Sequence, residues 1–558
     1  MNVLDRRIGE PRILCLYATL QYYPDEVCRP DSSLGLPYVH AALKAAGFEV
    51  NLLDASIGRP GRDALDDTFY RRTPLPDVGP DLFRIGMTPE RILEEVEPYD
   101  VIAVSSIFTQ QTGRVIEIAQ LVKAAYPEKI LVAGGVNARS LKDYFFDHGY
   151  DVIFLSEGEK ALVAFAEYLR SGSPSLDSVP GISFRRDGRT VATPAGPPVN
   201  DLDEYPMPSW GALPNEQYWD ISEPWGGRDG WLEDQKPRFA SILTSRGCPY
   251  RCTYCHISME VGGEAGDIGR LRFHSVERVE QELDTLKGLG VELVYINDDS
   301  LLAWKHRVHK VLDLLQSYDF LLADINGVNI RHLFKRTGSG DGLEVDVELL
   351  EHLYTAGFRR IGLPFESGSQ RLLDKYSTSK WRIDKTDVFS LIRTMSDMGF
   401  TTNANFMVGY PDETLEELSQ TYMLARRAMD AGLDGCGFFM VQPFPGTVLY
   451  DESVANGQLD PTMRPDDMGW SKSQCPSPFR NLKIDPQVLH YSRNLAFAML
   501  NSDGRSRAWL EKAMGVTEPT EAPVAEAPAT TAPPAEAPAV EASAAETPAP
   551  TGPLLPVV

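Results

Sequence analysis

The sequence predicts an α/β protein in which an N-terminal doubly wound parallel sheet is followed by an open (β/α)6 barrel and a small helical C-terminal cap. Three observations carry this. Short apolar runs alternate with amphipathic segments from about residue 11 to 195. After a Pro- and Trp-rich interruption the alternation resumes for six units between about 239 and 450. Gly47, Gly357, Gly399 and Gly432 follow helical segments, where left-handed backbone closes a helix.

In the first half, 12–17 reads as a buried strand, 35–46 as a helix stopped by Gly47, and 48–54 as the next strand. Strands follow at 100–106, 129–135 and 152–155, with helices at 112–126 and from 157 to about 169. Such sheets bind ligands beyond the carboxyl ends of their strands. In the second half, strands are expected at 239–245, 292–299, 321–330, 360–367, 402–410 and 435–443. Helices are expected between them at 276–289, 305–317, 345–356, 385–398 and 414–431. Chemistry in an α/β barrel sits at the carboxyl ends of the strands. The resulting division is 1–195 for the sheet domain, 196–238 for the connector, 239–450 for the barrel and 451–515 for a helical region with helices near 486–499 and 506–514. The segment 516–558 is Ala, Pro, Glu and Thr with almost no aromatics; it cannot bury enough surface to fold and reads as disordered. Trp210, Trp219, Trp225 and Trp231 line an interdomain cleft or staple the connector down.

Of the 558 residues, 43% are apolar and 24% charged, as in ordinary globular proteins. The net charge of −25 argues against a nucleic-acid partner, which needs basic surface. No apolar run approaches the length of a membrane span, and the chain starts with no apolar signal segment. Seven cysteines, an odd and sparse count, speak for a reducing cytoplasm rather than a disulfide framework.

Three of these cysteines carry the chemistry. Cys248, Cys252 and Cys255 have the spacing C-x3-C-x2-C on one short loop after an apolar strand. Soft thiolates at this spacing suit three irons of a four-iron cluster, leaving one iron open to a ligand. The alternative is a zinc site completed by His256. Zinc sites usually draw their second ligand pair from a separate segment, whereas His256 adjoins Cys255.

The strand 239–245 and its cysteine loop resemble the first strand and cluster loop of the radical S-adenosylmethionine (SAM) superfamily. The resemblance implies a [4Fe-4S] cluster whose open iron chelates SAM, reductive cleavage to a 5′-deoxyadenosyl radical, and an external electron donor such as flavodoxin or ferredoxin. By position within the family, Tyr254 would lie near the adenine, Asp298 or Asp299 would bind the SAM amine, and Glu366-Ser367 matches the family's Glu-Ser-Gly run. Each has a plainer reading: loop packing for Tyr254, a helix N-cap for the aspartates. Asn403 and Asn405 project from one face of the fifth strand. Residues 409–414 resemble the family's Gly-x-Pro-Gly-Glu-Thr turn with Asp412 in place of glycine, and 442–447 resembles its last adenine-side turn. Cys436 and Cys475 read as buried small hydrophobes, with a hydrogen donor near the radical as the alternative.

Ser105-Ser106 after one strand and Gly134-Gly135 after the next look like the cobalamin-binding domain fused to many radical SAM enzymes. Its D-x-H-x-x-G signature is absent, so bound cobalamin should lack an axial protein histidine; His40 and His148 are misplaced for that role. The plainer reading is a sheet whose glycines merely turn the chain. The combined resemblance implies methyl transfer to an unactivated carbon of a small natural product, lipid or tetrapyrrole. The rivals are an oxidative cyclase or ring-contracting enzyme without net methylation, and a non-catalytic corrinoid or iron–sulfur carrier.

Overall fold

The computed structural model describes residues 3–23, 34–79, 81–221, 232, 235–337, 342–460, 463–469, 477–480 and 482–502. The expectations for Trp225, Trp231, Cys475, the helix at 506–514 and the segment 516–558 lie outside the described residues.

The first sheet has seven strands, in the spatial order Arg189–Ala192, Ile182–Arg186, Val152–Phe154, Ile130–Gly134, Val101–Ser105, Ile13–Tyr17, Val50–Asp54. The last five are parallel and the first two antiparallel. The parallel strands are almost wholly buried, as expected where both faces are covered. The antiparallel pair was not anticipated. Its turn, Asp187-Gly188, has φ of +51° and +74° at successive residues, the conformation of a tight hairpin. A small antiparallel sheet of Leu20–Tyr22, Phe83–Ile85 and Arg72–Pro74 lies in the same half.

The second sheet has six strands in sequence order, all parallel: Phe239–Ile242, Leu293–Ile296, Leu321–Asp324, Phe358–Glu366, Thr401–Val408 and Gly435–Met440. It does not close, so this is the open (β/α)6 arrangement. The third strand ends six residues before the predicted 330. There the Asp324 carboxylate accepts the Gly327 N–H at 2.8 Å, and Gly327 turns with φ +84°. The helix Pro486–Leu500 lies against the last strand. Beyond its end the Asn501 side chain bonds both the N–H and the carbonyl of Cys436, each at 2.9 Å, so the cap satisfies the sheet's free edge. In the connector, Trp210 is buried edge-on to Tyr38, and Trp219 donates its indole N–H to the Phe239 carbonyl at 2.8 Å. Both staple the connector down.

Candidate active site

The cysteine loop is held at its entry by two aspartates just beyond the second barrel strand. Asp298, 1% exposed, accepts the Thr244 N–H, the Thr244 hydroxyl and the Ser245 hydroxyl, each at 2.6 Å. Asp299 accepts the Gly247 N–H at 2.9 Å, and burial pushes its carboxyl up to about 6. Neither is a helix N-cap; the following helix, Lys305–Leu315, has Trp304 at the N-cap position with no side-chain capping bond. Asp298 therefore spends both oxygens on the chain itself, while Asp299 also faces the cavity described below. Gly247 has to be glycine. Its φ is +84°, and a Cβ there would come 2.3 Å from the Arg270 carbonyl oxygen.

Within the loop, Cys252 is buried, with its sulfur 3.6 Å from the Ser377 carbonyl and 3.7 Å from the Thr378 hydroxyl. Burial raises the Cys248 thiol and pushes that of Cys255 up to about 12; the Cys252 sulfur raises both further and the Lys380 ammonium opposes this. Thiols crowded in this way want bound cations to become thiolates. Among the described residues no three His, Cys, Asp or Glu side chains converge on a single-ion site. A four-iron cluster fits the same donors, because it gives each thiolate its own iron. His256 does not complete a zinc set: its Nε2 faces the Pro445 carbonyl at 3.2 Å and its ring stacks on Phe444.

Glu366 closes the fourth strand at φ +63°, a left-handed backbone that a glutamate rarely adopts. Its buried carboxylate pairs at 3.1 Å with Lys380, whose side chain is largely covered, at 18% exposed. Burial works against the lysine's charge. Glu366 and the sulfurs of Cys252 and Cys255 outweigh it and hold the ammonium well above the usual lysine range. Lys380 also lies 5.9 Å over the Tyr254 ring, whose hydroxyl is 3.1 Å from that of Ser377. The loop bearing Lys380 is fixed by two successive left-handed residues, Thr378 and Ser379, and by Trp381, which is buried and bonded to the Phe365 carbonyl. Sequence reasoning missed Lys380, since a short polar loop after a helix carries no periodic signal.

Ser367 is fully buried; its hydroxyl accepts the Ser369 N–H at 3.1 Å and lies 3.3 Å from that of Thr421. Asn403 and Asn405 stand on the half-exposed, inward face of the fifth strand, opposite Gly435 and Gly437 of the sixth. In the turn after that strand, Asp412 keeps ordinary backbone and is held by Arg371, Lys375 and the Tyr376 hydroxyl. Its neighbour Glu413 caps the turn by accepting the Gly409 and Tyr410 N–H groups. Gln442, which opens the segment 442–447, is 3% exposed beyond the last strand, and neither polar atom of its side chain has a partner among the described residues. Cys436 packs into the core on the outer face.

At the other end of the site, Ser105, Gly134 and Gly135 line a cavity of about 400 Å³ together with Leu36, Tyr38 and Val39. The barrel contributes Leu243, Arg246, Gly247 and Asp299 to the same cavity. Gly135 has φ +107°, and a Cβ there would meet the Ser106 carbonyl oxygen at 2.3 Å. A Cβ on Gly134 would meet only Phe154, at 3.6 Å, so the sheet edge there is bare backbone open to a ligand. That bare edge, walled by apolar side chains, fits a large planar cofactor. Among the described residues the lining contains no histidine; His40 faces the Ser209 hydroxyl at 2.8 Å and His148 the Tyr144 carbonyl at 2.7 Å.

Residues 242–425 match the model of the Radical SAM superfamily, and residues 32–166 match that of the B12 binding domain. A cytidylyl-2-hydroxyethylphosphonate methyltransferase of Streptomyces wedmorensis is 26% identical over 500 residues, covering 82% of this chain and 85% of that protein. An anaerobic magnesium-protoporphyrin IX monomethyl ester cyclase of Rubrivivax gelatinosus is 27% identical over 389 residues, covering 67% of this chain and 64% of that one. The solved structure of the radical SAM methyltransferase TsrM from Kitasatospora setae, with cobalamin and a [4Fe-4S] cluster bound, shares the fold. Its TM-score is 0.57 at 16% identity, covering 80% of this chain and 75% of that one.

The fold and the cysteine loop thus define a radical SAM enzyme. More particularly, the chain joins a radical SAM domain over 242–425 to a B12-binding domain over 32–166. These domains call for a [4Fe-4S] cluster, SAM and cobalamin. No helix among the described residues is long and apolar enough to cross a membrane.

Proposed function

We propose that the protein is a cobalamin-dependent methyltransferase acting on an unactivated carbon of a small-molecule, lipid or tetrapyrrole substrate. The observation that carries this is the shared cavity. Asp299 and Gly247, at the root of the cysteine loop, line the same space as Ser105, Gly134 and Gly135. The extent of the match to a methyltransferase, 500 residues against 389 for the cyclase, supports methylation over cyclisation.

When bound, the cluster supplies an electron to SAM's sulfonium and cobalamin supplies a transferable methyl group. The residues of the chain position these groups. Cys248, Cys252 and Cys255 hold the cluster. Lys380 sets a largely covered positive charge beside the thiolates, and Glu366 fixes that charge and takes the hydroxyls or ammonium of SAM. Tyr254 and Gln442 face the adenine, and Asp299 the amine. Asn403 and Asn405, on the inward face of the fifth strand, meet substrate or SAM. Ser105, Gly134 and Gly135 admit cobalamin to the backbone of the sheet. A low-potential donor of the flavodoxin or ferredoxin class delivers the electron, and the reducing cytoplasm suits both donor and cluster.

The test is anaerobic incubation of a candidate substrate with reductant, cobalamin and SAM labelled at its methyl group, read by mass spectrometry. The expected result is 5′-deoxyadenosine together with a product heavier by the labelled methyl. Turnover to an unlabelled product would assign the protein to the cyclase or rearrangement class. Absence of 5′-deoxyadenosine would leave a carrier.

A further inference from the structure

The cysteine loop is tied at both ends to the B12-binding half by buried charge. Before the loop, Arg246 stands two residues ahead of Cys248. Its guanidinium donates to Glu157 at 3.1 Å and to Glu159 at 2.7 Å. Glu157 also receives both arms of Arg272, at 2.8 and 3.0 Å, and the Tyr205 hydroxyl at 3.0 Å. Two guanidiniums thus meet two carboxylates, so the cluster is neutral as a whole. The Arg246 and Glu159 side chains are 12% and 6% exposed. The face of the Arg246 guanidinium lies over Tyr38 and Tyr205, at 4.9 and 5.1 Å from the ring centroids. Tyr38, Glu157, Glu159 and Arg246 all line the cavity that holds the bare sheet edge.

After the loop, Glu260 pairs with Arg139, four residues beyond Gly135. Arg139 also donates to the Leu155 carbonyl at 3.2 Å, just past a strand end of the first sheet. Each tether therefore runs from a flank of the cysteine loop to a residue three to five positions past a strand end of the first sheet. Buried pairs of this kind add little net stability over an apolar substitute, but they are strict about geometry. Burial alone would have been met more simply by apolar residues. What the charges add is a fixed register between the two halves.

We propose that Arg246 with Glu157 and Glu159, and Arg139 with Glu260, form a positioning lock that sets the separation of the cluster from the cobalamin edge and thereby couples SAM cleavage to methyl transfer. This rests on the methyltransferase reading for the coupling, but not for the separation. None of these residues touches the reacting atoms in this role; they act through the loop and the sheet edge that they hold. A displacement of about 1 Å at a reacting centre costs on the order of 10²-fold in rate. A loosened lock should therefore let SAM be cleaved without its radical being used.

The experiment compares the loaded enzyme with its Arg246→Gln, Glu159→Gln and Arg246→Lys variants. Iron, sulfide and cobalamin contents are measured first. Pulsed electron paramagnetic resonance then gives the distance distribution between the cobalt(II) and the reduced cluster. The ratio of 5′-deoxyadenosine formed to methyl groups transferred is the second readout. Arg246→Gln and Glu159→Gln should keep their cofactors, broaden or shift the distance distribution, and raise the ratio by ~10-fold or more. Arg246→Lys should recover much of both. A merely structural role would lower the amount of loaded enzyme and leave distance and ratio unchanged, and that result would overturn the proposal. If Arg246→Gln fails to hold the cluster, Glu159→Gln, which lies on the other half, decides. If the unaltered enzyme cleaves SAM without methylating anything, the methyltransferase reading fails and the distance measurement still judges the lock.

Discussion

At the barrel end of the site, the positions that would face a ligand carry reactive or charged side chains: three thiols, the Lys380–Glu366 pair and Asp299. At the sheet end, Ser105, Gly134 and Gly135 carry almost nothing, and the acids beside them, Glu157 and Glu159, are engaged by Arg246 and Arg272. The two ends do different work. The barrel must hold an inorganic cluster and a zwitterion, and both need charge and ligands from the protein. The sheet must admit a large, rigid cofactor, which needs room and exposed backbone. A residue can thus be essential through what it presents or through what it lacks.

Replacing Cys252 by Ala removes something presented, and the loss should be complete. The visible absorption of the cluster and all formation of 5′-deoxyadenosine should disappear, while cobalamin still binds to the sheet half. Retained SAM cleavage would refute the assignment of the loop.

Adding a methyl group at the sheet edge breaks the comparison from the other side. Gly134→Ala meets only an ordinary contact with Phe154, so the protein should fold normally. Cobalamin affinity, read by titration of its absorbance, should fall on the order of tenfold, about 1.4 kcal/mol. Cluster content should not change. Gly135→Ala should differ in kind, since its left-handed backbone and the 2.3 Å approach to the Ser106 oxygen also cost folding stability. Equal cobalamin affinity in Gly134→Ala would mean that the glycine only turns the chain.

These two ends were unequally legible in the sequence. The cysteine loop announces itself, because three ligands on one loop need no knowledge of the fold. The parallel strands were legible from their apolar runs, and their carboxyl ends follow from that. The hairpin at 182–192 was missed although Asp187-Gly188 is a hairpin signal, because the flanking strands are short and half exposed. Asp298 shows a harder limit. An acid at a strand end reads the same whether it binds a ligand or the chain, and its partners Thr244 and Ser245 lie more than fifty residues away in sequence. Lys380 was hidden for the same reason: its partners Glu366 and the thiols meet it only in the fold.

Glu366→Gln sharpens the charged side of the comparison. It keeps size and removes charge, so cluster content should hold while SAM affinity drops by ~1.5–3 kcal/mol, the range for a hydrogen bond to a charged group. Isothermal titration of the reconstituted protein with SAM measures it. Unchanged affinity would leave Glu366 as the anchor of Lys380 alone.

The smallest effect concerns the turn after the fifth strand, where neighbouring acids are shifted in opposite directions. Asp412 is exposed enough to keep three cationic or hydroxyl partners: burial would raise it, but Tyr376, Lys375 and Arg371 hold it well below the usual range. Burial pushes Glu413 up to about 7 despite its two backbone N–H partners. A carboxyl with a raised folded pKa binds its proton more tightly when folded, so its contribution to stability falls as pH rises from about 4.5 to about 7. Urea denaturation of the cofactor-free protein at pH 5 and pH 8 should show that drop, and Glu413→Gln should reduce it. An identical pH dependence in the variant would remove Glu413 from the account.

Cobalamin dependence tests the central claim most directly, because the claim is that the sheet half supplies the methyl group and the barrel half the radical. The measurement compares methylated product and 5′-deoxyadenosine from the cluster-loaded enzyme with and without cobalamin. The account predicts that 5′-deoxyadenosine still forms without cobalamin while methylated product vanishes. Undiminished methyl transfer in its absence would contradict it.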